Sequence, residues 1–118
     1  MNTVTIEVTD RQTRDARFVQ AFQTGQPQGV SIAFDSVEVL WQVLTPRRWQ
    51  IVRTLCGAGP VSLREVARRV GRDVKAVHGD VHALLAAGVL ERDDAGRIVF
   101  PYDAVHVDFT VQADEALA

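Results

Sequence analysis

Between Ser62 and Gly88 the chain encodes two helices almost back to back, and this constrains the fold more than any other feature. Ser62 is a helix cap with Glu65 three residues later in the capping-box position, and Leu63, Val66, Ala67 and Val70 share one helical face. Gly71 ends that helix, because glycine accepts the left-handed backbone that closes a helix tightly. Arg72-Asp73 supplies a turn and a second cap, after which Val74, Val77, Val81, Leu84 and Leu85 recur at three- and four-residue spacing until Ala87-Gly88. Helices this short and this tightly joined need a further element to cover their apolar faces. Upstream, Thr45-Pro46 starts a helix with Trp49, Ile51, Val52 and Leu55 as its buried stripe, closed by Gly57-Ala58-Gly59-Pro60. Downstream, Val89-Leu90-Glu91-Arg92 and Arg97-Ile98-Val99-Phe100 flank Asp93-Asp94-Ala95-Gly96, the pattern of a β-hairpin. Helix, short helix, tight turn, helix, hairpin is the plan of a winged helix-turn-helix, expected over residues 45–101.

The flanks read as β-rich. Thr3 to Thr9 alternates apolar and polar positions with many β-branched residues, as a half-buried strand does, and Val30 to Phe34 repeats the pattern. Between them Asp10 can cap a helix over residues 11–23 bearing Ala16, Phe18, Val19 and Phe22. Asp35-Ser36 precedes a short helix from Val37 to Trp41, and Trp41 and Trp49 fit core positions. After Pro101-Tyr102, Ala104 to Val111 gives a last strand with Val105, Val107, Phe109 and Val111 on one side, and residues 113–118 are expected to fray. The expected fold class is therefore α+β: a winged helix-turn-helix with N- and C-terminal strands and an N-terminal helix. An extension over residues 1–44 precedes the winged unit, and a strand and tail over 102–118 follow it. The flanking strands can pair within the chain or form a dimer face. A homodimer is favoured, since it sets two recognition helices about one DNA turn apart.

The charge distribution points the same way. The chain of 118 residues carries a formal charge of −2, yet residues 45–100 hold ten of its thirteen Lys and Arg against six of its fifteen acids, while residues 101–118 hold four acids and no base. Charges farther apart than about 8 to 10 Å are screened from one another in physiological salt, so an acidic chain can still present a basic face to duplex DNA. In the winged arrangement Arg64, Arg68 and Arg69 lie on the buttressing helix. Arg72 and Lys75 start the recognition helix, His78 and His82 lie on its outer face, and Arg92 and Arg97 sit in the wing. These nine are the candidate DNA-binding residues: Lys75, His78 and His82 for the groove, the arginines for phosphates and register. Gly79 leaves a hole in the middle of the outer face, so modest base specificity is expected from one subunit.

Leu44-Thr45-Pro46-Arg47-Arg48-Trp49, Val61-Ser62-Leu63-Arg64-Glu65-Val66-Ala67, Gly71-Arg72-Asp73-Val74-Lys75-Ala76-Val77-His78, Asp80-Val81 and Gly88-Val89-Leu90-Glu91 together resemble the small MarR-like predicted transcriptional regulators of prokaryotes. The resemblance spans roughly residues 30–105. It implies a DNA-binding repressor, and some such proteins look like antitoxins encoded beside a small toxin. Carried over by position, Arg72, Lys75 and His78 fall in the recognition segment, whereas Gly79 and His82 stand where basic residues are common in the family.

Other chemistries find less support. His78 and His82, four residues apart, have the spacing of two metal ligands, but the HExxH pattern is absent and His106 and Cys56 belong to other elements, so no metal or other cofactor is expected. Cys56 at the end of an apolar helix reads as a small buried filler, and a lone cysteine cannot form an internal disulfide. No nucleophile motif and no Gly-rich phosphate loop is present, so an enzyme is not expected. The lack of a cleavable apolar leader and of a long apolar run favours the cytoplasm over a membrane or secreted setting. The alternative function is an antitoxin-type module whose acidic C-terminal strand and tail bind a toxin protein.

Overall fold

The structure, a computed structural model, describes residues 2–9 and 30–111 together with residues 16, 19 and 113. Its elements in chain order are β1 (Thr3–Val8), β2 (Ser31–Phe34), α1 (Val37–Val43), α2 (Pro46–Leu55), α3 (Leu63–Val70), α4 (Val74–Ala86), β3 (Glu91–Arg92), β4 (Ile98–Val99) and β5 (Ala104–Asp108). This is an α+β arrangement. The helix expected over residues 11–23, with its cap at Asp10, lies outside the described residues except at Ala16 and Val19, both helical and exposed.

Helix ends follow the capping logic with one exception. Ser36, Thr45 and Ser62 each accept a hydrogen bond from the backbone three residues on, at Val39, Arg48 and Glu65, which satisfies donors the helix itself leaves open. Gly71 closes α3 in the left-handed conformation at φ 69°, and Arg72 N–H reaches back to the Ala67 carbonyl. Asp73, expected to cap α4, occupies the capping position but makes no cap hydrogen bond. The capping box is half made too, because the Glu65 carboxylate turns to Arg68 and Arg69.

The flanking strands pair within the chain. β1 is the middle strand of a three-stranded parallel sheet in the order β2-β1-β5, with Ile6 opposite both Ile32 and Val107. Partners in a parallel register point to the same side, so Val4, Ile6, Val8, Ile32, Phe34, Val105 and Val107 share one face. Asn2 ties the start of β1 to the start of β5: its backbone and side chain bond Asp103 and the Pro101 carbonyl. Val4, Ile6 and Phe34 belong to one core with Leu40, Ile51, Val52, Leu55, Val66, Val77, Val81, Leu84, Leu90, Ile98 and Phe100, so sheet and helices share one apolar interior.

The hairpin is shorter than its pattern suggests. Only Glu91–Arg92 and Ile98–Val99 form a ladder, because Val89 and Leu90 turn into the core beneath α4. Val61 compensates by exchanging hydrogen bonds with Ile98 at 2.7 and 2.8 Å, which fastens the start of the α3 unit to the hairpin. Trp41 departs from the expected core position: it is 55% exposed, edge-on to Phe109 at 5.9 Å. Trp49 packs against the core as expected.

Candidate nucleic-acid interface

α4 buries Val77, Val81 and Leu84 and turns Lys75, His78, Gly79 and His82 to solvent. Those four positions follow the i, i+3, i+4, i+7 spacing of a single helical stripe. The acid within the helix, Asp80, points away from this stripe into an ion-pair cluster. Its carboxylate accepts from Arg48 Nε at 3.1 Å and from Arg72 Nη2 at 2.9 Å, and Arg48 also donates to the Gln42 and Val43 carbonyls at the end of α1. Burial raises the Asp80 carboxyl, but the bonds from Arg72 and Arg48 outweigh it and hold the group below its ordinary range.

Arg72 is taken up in this ion pair. Its side chain is only 17% exposed, it is paired with Asp80, and Nη1 is buried with no partner. The tight αL turn at Gly71 folds Arg72 back toward α4, where the sequence pattern alone suggests an outward residue. Its place in the structure is that of a cross-link holding the α3–α4 turn against α4.

The remaining candidates divide by what already holds them. Arg68 and Arg69 both donate to Glu65 on α3, and those bonds draw the Glu65 carboxyl down to about 2. Arg68 keeps most of its surface, whereas Arg69 is about one-third exposed. Arg97 closes the hairpin turn by bonding Asp93, whose carboxylate also accepts from the Ala95 and Arg97 backbone. Arg64 and Lys75 are exposed, and their side chains make no hydrogen bond or ion pair among the described residues.

Helix and hairpin are tied through His82. Its ring stacks on His78 with centroids 4.0 Å apart, Nδ1 lies 2.8 Å from the His78 carbonyl, and Nε2 lies 3.3 Å from Arg92 Nη2. A guanidinium only donates and a carbonyl only accepts, so the neutral ring with its proton on Nδ1 satisfies both contacts. Arg92 in turn donates to the Gly96 carbonyl, so the side chain bridges the hairpin tip and the outer face of α4. Both His82 nitrogens thus have partners, and among the described residues no group of three or more His, Cys, Asp or Glu is arranged to hold a metal ion. Burial, and then the charge of Asp103, push the Cys56 thiol up, away from the thiolate a redox sensor needs.

Arg47 and Arg53 on α2 are two further exposed cations without a partner among the described residues. Arg53 lies opposite Ile51, Val52 and Leu55, as the periodicity of α2 makes legible, and Arg47 sits in the first turn of that helix, but a reading centred on residues 62–88 passes over both.

A family model described as HVO_A0114 matches residues 43–107, more than half of the chain. The chain belongs to the HVO_A0114 family. The matched span runs from the end of α1 through α2, α3, α4 and the hairpin into β5, so it includes all of the candidate residues described above, the Arg48–Asp80–Arg72 cluster and the His82–Arg92 contact. In this HVO_A0114 member β1, which pairs with β5, and β2, which pairs with β1, fall outside the matched residues. No curated protein and no solved structure matches the chain. Among the described residues no helix is long and apolar enough to cross a membrane.

Proposed function

We propose that this protein is a sequence-specific DNA-binding regulator of MarR-like character, a repressor that occupies its operator as a homodimer. In this reading α2, α3, α4 and the hairpin act as a winged helix-turn-helix. The observation that carries it is the outward stripe of α4: Lys75, His78, Gly79 and His82 stand in a row from which the helix's acid, Asp80, is turned away. A 13-residue helix spans about 20 Å, and a stripe carrying the cation Lys75 and two imidazole rings suits a major groove about 12 Å wide and edged by phosphates. Arg64 and Arg68 on α3 add cations for the backbone, and Arg92, held at the helix by His82, lets the hairpin act as a wing.

The test is fluorescence anisotropy with genomic duplex fragments over a salt series. Binding is expected to weaken steeply, with a log–log slope of about −3 or steeper if three or more phosphates are neutralised per complex. Salt-insensitive weak binding, or none at low salt, overturns the reading.

The dimer has its own support. Among the described residues β5 is an edge of the sheet, and Val107 within it, Val111 after it and Trp41 against Phe109 are 37%, 76% and 55% exposed. Trp41 and Val107 line an apolar cleft of about 530 Å³ together with Leu40, Leu44, Pro46 and Trp49. Unpaired strand edges and clustered apolar surface are what a second copy covers. Sedimentation of the wild-type chain is expected to show a dimer, and Trp41→Glu with Val107→Glu is expected to yield a folded monomer with weakened DNA binding. A wild-type monomer counts against this face, and a stoichiometric complex formed with a small toxin instead favours the antitoxin alternative.

A further inference from the structure

Five glycines of the described chain have positive φ, among them Gly71 at 69° and Gly96 at 80°, where side chains are strained. Gly79 is different. It sits inside α4 without a positive φ, and a Cβ built on it meets no atom within 4 Å. Neither backbone conformation nor packing in the fold requires a glycine there. The residue nevertheless weakens the helix, because glycine loses more backbone freedom on folding than alanine does and is among the poorest helix formers. The helix carries this defect at the middle of its outward stripe, with Lys75 one turn before it and His78 and His82 on either side.

A glycine that its own fold does not need, on an open face, makes room for something outside the chain. We infer that Gly79 is the point of closest approach between α4 and duplex DNA, a specificity-determining position whose missing side chain lets the helix axis sink into the groove. Charge selects duplex DNA as the occupant. The flanking Lys75 is exposed and has no partner among the described residues, and the acid next in sequence, Asp80, is taken up by Arg48 and Arg72. Seated this deep, Lys75 and His78 reach base edges that a side chain at position 79 would hold out of range, while His82, whose two nitrogens are already partnered, holds His78 and Arg92 in place. The hole in the stripe thereby becomes a feature of readout rather than a gap in it.

This inference rests on the DNA-binding reading, and the experiment separates the two. Gly79→Ala and Gly79→Leu are compared with the wild-type chain for thermal midpoint and for affinity to the same duplex at one salt concentration. Gly79→Ala is expected to raise the midpoint by roughly 2 to 5 °C, because only helix propensity changes. It is also expected to weaken DNA binding by about tenfold, and Gly79→Leu by more, on the scale of one disrupted set of base contacts. Opposite signs for stability and binding are the signature. Unchanged or tighter DNA binding by Gly79→Ala overturns the inference while leaving the regulator reading intact. A lowered midpoint overturns it as well, since the glycine then serves the fold. Failure of the wild-type chain to bind any duplex overturns both.

Discussion

Asp80→Asn is expected to lower the stability of the fold by about 2 kcal/mol at pH 7, the scale for disrupting a partly buried, hydrogen-bonded ion pair. The Asp80 side chain is only 18% exposed, and its carboxylate joins α4 to Arg48 on α2 and to Arg72 in the α3–α4 turn. An amide supplies one acceptor oxygen where two are used, and it leaves the Arg72 guanidinium, already with one buried nitrogen unpartnered, without its counter-charge. The pH dependence follows from the depressed carboxyl. A group whose folded-state pKa lies below its unfolded value contributes stability that is present above the unfolded value and lost as pH falls through the folded one. For Asp80 the unfolded value is near the ordinary 3.8. Wild-type stability should therefore decline as the medium is acidified below about pH 4. The Asp80→Asn variant lacks this component, so the gap between the two chains should narrow toward acid. Urea midpoints at a series of pH values check it, and a difference under about 0.5 kcal/mol at pH 7 would reduce the cluster to an ordinary surface contact.

Arg64→Ala combined with Lys75→Ala should cut DNA affinity on the order of a hundredfold near physiological salt and make the log–log salt slope shallower by about 2, one phosphate for each lost cation. Neither side chain has a partner among the described residues, so the thermal midpoint should hold, as for surface substitutions remote from packing or capping. The informative comparison is Arg68→Ala with Arg69→Ala, which removes the same charge. Those guanidinium groups already rest on Glu65, and any phosphate must compete with that carboxylate, so a smaller loss is expected. Equal losses from the two pairs would show that only the summed charge matters. Wild-type affinity in the variant lacking Arg64 and Lys75 would remove α3 and α4 from the contact surface.

Much of the helical part is legible because it is local. Ser36, Thr45 and Ser62 announce helix starts, Gly71 announces a stop, and the spacing of Val77, Val81 and Leu84 identifies which side of α4 is inward. The same spacing places Lys75, His78, Gly79 and His82 outward. Trp41 marks the limit of this logic. A large apolar residue in a short helix reads as core, yet α1 is only seven residues long and Leu40 takes the buried position, leaving the neighbouring indole exposed beside β5.

Periodicity and capping depend on residues within a few positions of one another, so the amino-acid order by itself determined the helices, the α3–α4 turn and which side chains could face outward. Strand order, the use of Val61 as a partner for Ile98, and the commitment of each arginine are matters of long-range contact. Arg72 and Lys75 are three positions apart and equally basic on paper. Only the folded chain, by bringing Asp80 and Arg48 to one of them and leaving the other in solvent, decides which is a cross-link and which is free to meet a phosphate. The decision belongs to tertiary structure because a charged side chain's role depends on which counter-charge lies within about 4 Å, and that distance is set by packing between elements far apart in the chain.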